Sequence, residues 1–369
     1  MVEVTNYIDR LVAELCPDGV EYRPLGELLG YEQPTKYLVS SKDYDDSYPT
    51  PVLTAGKTFI LGYTNETEGI YPASKEEPVI IFDDFTTAFK WVEFPFKAKS
   101  SAMKMLTLKS GNNSLFKYVY YAMQCIVYNS SDHARQWISK YSNIEVPVPP
   151  IEIQEAIVEI LDKFTNLEAE LEAELEARTL QYEYYRDSLF EALDCPRVPL
   201  DSFAKIKNGK TYKDFGAGNI PVYGSGGIMT YVDRFSYNKP TVLIPRKGSL
   251  GNLFYLEEPF WNVDTIFYTE IDEEQVIPKF LYYFLKTAHL EDLNTAGGVP
   301  SLTQKVLNKV LIPVPSLEEQ QRIVDILDRF DALTGSLSEG LPAELAARRS
   351  QYEYYRDQLL TFPRKGENQ

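Results

Sequence analysis

Apolar residues return at steps of four and three along two stretches of the chain. In the first, Ile153, Ile157, Ile160, Phe164, Leu167 and Leu171 make one seam, which continues through Leu175, Tyr182, Tyr185 and Leu189. A four-residue stutter falls near Leu171–Leu175. Such spacing keeps one face of a helix apolar along its length. Pro147, Pro149 and Pro150 bar an earlier start, since proline cannot join the helical ladder. The pattern therefore predicts a helix from about Glu152 to Phe190, roughly 58 Å long at ~1.5 Å per residue. The second stretch repeats the seam at Ile323, Ile326, Phe330, Leu333, Leu337, Leu341 and Leu345.

The two stretches are copies of one another. Pro147/Pro313, Val148/Val314, Pro149/Pro315, Gln154/Gln320, Ile157/Ile323, Leu161/Leu327, Phe164/Phe330 and Leu167/Leu333 align at an offset of 166 residues. The heptapeptide QYEYYRD ends both, at Gln181–Asp187 and Gln351–Asp357, at an offset of 170. Four extra residues thus fall between Leu333 and Gln351, near Gly335, Gly340 and Pro342, where a break or kink is expected. Matched seams at matched positions favour pairing of the two helices with each other.

Before each long helix the periodicity changes. After a short amphipathic helix over Met1–Pro17, strands are predicted at Pro51–Thr54, Val79–Phe82, Phe89–Phe94 and Met105–Lys109, then a helix near Leu115–Val127. After the first long helix, strands are predicted at Pro221–Tyr223, Thr241–Pro245, Asn252–Leu256 and Thr265–Glu270, then a helix near Lys279–Thr287. The bodies echo one another: PVLTAGK (Pro51–Lys57) faces PVYGSGG (Pro221–Gly227), and FKYVYY (Phe116–Tyr121) faces KFLYYF (Lys279–Phe284). The fold class is therefore α+β. Two mixed bodies, residues 1–147 and 194–313, alternate with two long helices, 148–193 and 314–362, followed by a tail, 363–369. With the helices paired as an antiparallel coiled coil, the chain has approximate two-fold symmetry.

Composition narrows the class. A hydrophobic content of 44% supplies ample core for a chain of 369 residues. No apolar run reaches the ~18 residues of a membrane span, and MVEVTNYIDR lacks the apolar centre of a signal peptide. Cys16, Cys125 and Cys195 are odd in number and lack metal spacing, which fits a reducing cytoplasm. With only His133 and His289 present, a multi-histidine metal site is impossible.

The net charge of −17 looks hostile to nucleic acid until it is divided. Residues 148–195 hold 3 basic and 13 acidic side chains, whereas residues 196–313 hold 13 basic and 12 acidic. The excess is concentrated in runs such as Glu168–Ala177, which read as a solvated helix face or one that meets a basic partner. The bodies are left free to carry local basic patches.

Short motifs exclude most catalytic classes. GSGG (Gly224–Gly227) lacks dinucleotide spacing and a following helix, and reads as a tight turn. RKGSLGN (Arg246–Asn252) lacks the GK[ST] ending of a P-loop, though its amides and cations suit phosphate contact. SDH (Ser131–His133) holds triad residue types, but neighbours in sequence cannot adopt triad geometry. FDDF (Phe82–Phe85) places two carboxylates at a strand end, where a metal pair, a turn or a base contact are the options.

With these residues in hand, the chain resembles the specificity subunit of type I restriction–modification systems over nearly its whole length. PVPPIEIQEAIVEILDKF and PVPSLEEQQRIVDILDRF at the helix entries carry the likeness most specifically. LTAGKTFILGYTNE, IIFDDFTT, IPRKGSLGN and PSLTQKVLNKVLIPVP add to it. The resemblance implies two target recognition domains, each reading one half of a bipartite, asymmetric site in double-stranded DNA. The helices would set the gap, about one turn of DNA or ~34 Å, and dock two methyltransferase subunits. Restriction subunits would complete the assembly. It implies no catalytic residue, metal or cofactor on this chain; S-adenosylmethionine, ATP and Mg²⁺ would serve the partners.

Base-reading and phosphate-holding candidates are Lys57, Thr86, Thr87, Lys90, Lys97, Lys99 and Lys104 in the first body. In the second they are Lys207, Lys210, Ser225, Arg246, Lys247, Ser249 and Thr303. Taken singly each reads as a solvated surface residue; the sets carry the inference. Two rivals are a stand-alone metal-dependent nuclease using Asp83 and Asp84, and a coiled-coil scaffold with no DNA role.

Overall fold

The long helix is one uninterrupted element. In the computed structural model, which describes residues 2–56, 58–111, 114–128, 134–294, 300–334 and 340–366, it runs over Ile151–Glu191. Its start follows from Pro150, whose carbonyl accepts the amides of Ile153 and Gln154. The second copy is described as two helices, Leu317–Thr334 and Gly340–Leu359; residues 335–339, where part of the expected break falls, lie outside the described residues. Gly340 has φ +74, and a Cβ there would lie 2.5 Å from the carbonyl oxygens of Ala332 and Leu333. Only glycine tolerates that turn.

The chain divides into two compact units that do not follow the linear boundaries. One comprises residues 1–169 and 347–369, the other residues 170–346, so each takes part of the long helix.

In the first unit, α1 is Val2–Leu15, α2 the single turn Leu25–Leu28, α3 Phe116–Gln124 and α4 the long helix. Its strands are β1 (Tyr22–Pro24), β2 (Leu29–Glu32), β3 (Thr50–Leu53), β4 (Ile60–Thr64), β5 (Val79–Asp83), β6 (Phe89–Val92), β7 (Lys97–Ala98), β8 (Met103–Leu108) and β9 (Glu145–Pro147). They form a sheet of order β2-β8-β5-β6, a smaller one of order β4-β3-β7, and the pair β1-β9. Strand β5 is apolar and buried from Val79 to Phe82 because both its faces are covered there. Ile80 and Phe82 join a core with Tyr118 and Tyr121 of α3 and with Ile153, Ile157 and Leu161 of α4; Val79 and Ile81 join a second core with Leu53 and Phe96.

The second unit repeats the plan. Its strands are β10 (Arg197–Pro199), β11 (Ala204–Asn208), β12 (Ile220–Gly224), β13 (Gly227–Val232), β14 (Thr241–Pro245), β15 (Phe254–Leu256), β16 (Trp261–Asn262), β17 (Ile266–Ile271) and β18 (Leu311–Pro313). The helices are α5 (Pro278–Thr287), the single turn α6 (Gln304–Leu307), α7 (Leu317–Thr334) and α8 (Gly340–Leu359), of which α8 lies mostly in the first unit. The sheet orders are β11-β17-β14-β15 and β13-β12-β16, with the pair β10-β18. On β14, Val242 and Ile244 pack with Phe280 of α5 and Ile323 and Leu327 of α7, while Leu243 faces Phe260.

Each unit fastens its body to a long helix by the same joint. Gln154, fully buried, accepts from the Leu115 amide at 2.9 Å and donates to the Pro149 carbonyl at 2.8 Å. Gln320, also fully buried, accepts from the Ile277 amide at 2.8 Å and donates to the Pro315 and Gln275 carbonyls. Two turns on, Asp162 meets the Tyr121 hydroxyl and Lys117, and Asp328 meets the Tyr283 hydroxyl and Lys279. Burial, reinforced by the carboxylate, pushes both phenols far above their ordinary range. Phe164 stacks on Tyr355 with Tyr352 beside it in the first unit; Tyr185 stacks on Phe330 with Tyr182 beside it in the second. The buried glutamines explain why that residue type recurs at the helix entry: an amide satisfies a backbone donor and acceptor at once.

Candidate nucleic-acid interface

In the second unit the sequence-predicted residues gather at one end of the four-stranded sheet. Because β14 and β11 both run antiparallel to β17, their C-terminal ends meet the N-terminal end of β17. Thr265, just before β17, is the knot. Its carbonyl accepts the amides of Arg246 and Lys247, and its hydroxyl accepts the amide of Ser225. The Asn252 side chain donates to the Ser225 carbonyl at 3.2 Å, tying the 246–252 loop to the hairpin turn between β12 and β13. Gly224–Gly227 is that turn, as expected, with Gly227 at φ +109. Gly248, at φ +82, donates its amide to the Pro300 carbonyl, and Leu302 donates to that of Arg246.

The side chains at this end differ in freedom. Lys247 and Ser249 are exposed, and Lys247 stands 3.9 Å from exposed Asp264, a pair worth little in water. Arg246 is half-buried, its guanidinium 5.8 Å from the centre of the Phe267 ring. Lys210 is exposed and Ser225 half-buried; Lys207 pairs with Glu270 at 3.2 Å. Thr303 caps α6 through its hydroxyl. Its hydroxyl therefore has a structural task, although the residue is exposed.

The first unit presents the same end differently. Asp83, at the end of β5, accepts the amides of Phe85 and Thr86 on one carboxylate oxygen, and Thr87 sits at φ +60. This turn occupies the place of the 246–252 loop: the Gln136 amide bonds the Asp84 carbonyl as that of Leu302 bonds Arg246. Thr86 and Lys90 are exposed and Thr87 half-buried, while Lys99 donates to the Tyr44 hydroxyl at 2.9 Å. Lys57 lies outside the described residues, as do Ser131 and His133.

Two of the first-unit lysines leave the candidate set. Lys97 is 4% exposed and held by Glu66 at 2.6 Å and the Glu68 carbonyl at 2.7 Å. The hydrogen bond from Lys97 holds the Glu66 carboxyl below its usual range. Lys104 is wholly buried, 3.1 Å from equally buried Asp84, with its ammonium 5.3 Å from the Tyr31 ring centre. A cation that solvent cannot reach cannot reach a phosphate either. The same pair disposes of the nuclease reading, since Asp83 shapes a turn and Asp84 neutralises a lysine and accepts the Trp137 amide.

Residues the sequence did not single out are exposed on strands of the smaller sheets. Ile228, Met229 and Tyr231 on β13 are each more than half exposed, and Ile60 and Leu61 on β4, the matching strand of the first unit, are also exposed. Apolar groups in such a place suit thymine methyls. The signal lay in the unbroken apolar pair at each strand start, where a solvent-facing hairpin would normally alternate.

Comparison with known proteins agrees with this architecture. The sequence matches the Type I restriction modification DNA specificity domain twice, over residues 17–177 and 194–347. It is 45% identical to the specificity subunit of the type I restriction enzyme EcoR124I/EcoR124II of Escherichia coli, over 97% of this chain and 98% of that one. The S subunit of a type I restriction–modification system from M. genitalium, 18% identical, superposes with a TM-score of 0.59 over 93% of this chain and 96% of that one. A chain from a structure on complex assembly and conformational transition of the type I R-M system gives 0.56 at 15% identity, over 93% and 96% respectively. Two matched domains on one repeated framework, and a relative of this identity aligned over almost the whole of both chains, leave one conclusion: the chain belongs to the family of type I restriction–modification specificity subunits.

Proposed function

We propose that each unit reads one half of a bipartite, asymmetric sequence in double-stranded DNA, and that the chemistry belongs to partner subunits. The observation that carries this reading is the contrast between frame and loop. Sheet order, buried glutamine and carboxylate–tyrosine joint recur in both units. Yet the loop at the same sheet end is Asp-Phe-Thr-Thr in one and Arg-Lys-Gly-Ser-Leu-Gly in the other. A fixed frame with a variable tip suits two readers of different base sequences. On this reading two methyltransferase subunits using S-adenosylmethionine, and restriction subunits using ATP and Mg²⁺, assemble on a chain that holds no cofactor itself, in the cytoplasm.

The second-unit loop supplies the direct test. Arg246→Ala should weaken binding of the assembled methyltransferase by ~1–3 kcal/mol and relax one position of the site, as expected for loss of a guanine contact. Lys247→Ala should weaken all sequences alike and reduce the salt slope by roughly one unit, as loss of one phosphate contact does. Salt titrations on cognate and one-base-changed duplexes separate the two. Parental affinity, slope and discrimination in both variants would take this loop off the DNA.

A second test addresses the gap. Four residues inserted near Glu172, within continuous α4, lengthen that helix by ~6 Å, nearly two base pairs at ~3.4 Å each. Both half-sites should persist with a longer spacer in the methylated motif. An active complex with an unchanged spacer would show that α4 does not measure distance.

A further inference from the structure

The smaller sheet of each unit carries the same irregularity in its edge strand. In the second unit Val222 of β12 lies opposite Thr230 of β13, but Tyr223 lies opposite Ile228, so Met229 is one residue more than the pairing needs. In the first unit Val52 of β3 lies opposite Gly62 of β4, but Leu53 lies opposite Ile60, so Leu61 is the extra residue. The sheet orders β4-β3-β7 and β13-β12-β16 make these the same edge of the same sheet. Each unit therefore has a β-bulge at one matching place, and each bulge holds a consecutive apolar pair, Ile60–Leu61 or Ile228–Met229. A regular strand alternates its faces, so one of two neighbours would turn inward. The bulge suspends that alternation, and all four side chains are exposed, Met229 at 57%.

An interrupted ladder and two exposed apolar side chains both cost stability, and the protein bears that cost twice. Bulges of this kind re-aim side chains beside binding sites. The second unit shows which site. Ile228 directly follows the Gly224–Gly227 turn, and that turn is bonded to the 246–252 loop. The Ser225 amide donates to the Thr265 hydroxyl, and the Ser225 carbonyl accepts from the Asn252 side chain. A Cβ at Gly224 would lie 2.8 Å from the Met229 sulfur, so the glycine leaves the thioether seated over the turn. The apolar pair is thus continuous with the tip that carries Arg246 and Lys247. A second copy or a partner strand pairing with this edge is disfavoured, because a bulge twists an edge strand away from further pairing. A duplex offers a better match: the thymine C5 methyl is the apolar feature of the major groove.

We propose that Met229 with Ile228, and Leu61 with Ile60, are specificity-determining residues, each pair covering a thymine methyl group in the half-site that its unit reads. This rests on the DNA-reading role proposed above. The test is titration of the assembled methyltransferase on duplexes in which each thymine of the methylated motif is replaced in turn by uracil, which deletes the methyl alone. For the parent, one replacement in each half-site should weaken binding about fourfold, the worth of one buried methyl. Met229→Ala should weaken the cognate duplex by a similar factor and abolish the response to uracil in one half-site while keeping it in the other. Leu61→Ala should do the reverse. Both side chains are exposed, so thermal melting should be unchanged. If the parent discriminates its half-sites yet ignores uracil at every thymine, or if the alanine variants keep the parental response, the assignment is overturned while the DNA-reading role stands. A half-site with no A·T pair overturns it for the unit that reads that half. An assembled complex that binds no duplex sequence-specifically overturns both.

Discussion

Exchanging residues 196–311 for the corresponding body of a related chain is expected to change one half of the methylated motif and leave the other intact. The exchange is confined because the segment enters and leaves at one place: β10 pairs antiparallel with β18, Arg197 opposite Pro313. The incoming body need match the frame at few points. It must present an amide to Gln320, as Ile277 does, and a hydroxyl and a cation to Asp328, as Tyr283 and Lys279 do. It must also seat Phe280 and Phe284 or their equivalents against Phe190 of α4. Everything at the far end of the sheet, including Arg246, Lys247 and Ser225, then changes as a set. Sequencing of methylated bases in cells carrying the hybrid reads the result. Changes in both halves would show that specificity is not divided between the units.

Lys104→Met is expected to destabilise the first unit by about 3–5 kcal/mol, the typical cost of stripping one partner from a buried ion pair. That is comparable with the whole margin of many domains. Asp84 would be left buried and charged, its outer oxygen facing a thioether. The double variant Asp84→Asn/Lys104→Met should recover most of the loss, because a neutral amide needs no counter-charge and can still accept the Trp137 amide. Urea unfolding followed by tryptophan fluorescence is a suitable probe, since Trp137 is buried beside the pair. A Lys104→Met chain of parental stability that binds DNA poorly would mean that Lys104 reaches the duplex after all.

The sequence was legible wherever a long period repeated. Seams at four and three residues located α4 to within one residue at either end, and the duplicated proline-to-glutamine entry exposed the internal repeat. The strong apolar strands were also readable: Thr241–Pro245 matches β14 at both ends, and Val79–Phe82 falls short of β5 by one residue. Short strands were not. Tyr22–Pro24, Leu29–Glu32 and Ala204–Asn208 were missed because three to five residues carry too little periodicity, and pairing across the sheet decides them.

The candidate site divides along the same line. Residue type and the glycines around them marked Arg246, Lys247 and Ser225, and the fold then gathered these three about Thr265. Lys97 and Lys104 looked equally suitable, since a lysine is ordinarily solvated. Only the tertiary structure brings Glu66 and Asp84 to them and removes both from water. The linear reading likewise ended the first body near residue 147, whereas the compact unit takes α4 as far as Ala169 and recovers Ala347–Gln369 from the other end of the chain. The reason is physical: periodicity is a property of neighbours along the backbone, and the sequence alone fixes it. Which buried charge finds a partner, and which half of a helix serves which core, depends on residues brought together from distant parts of the chain.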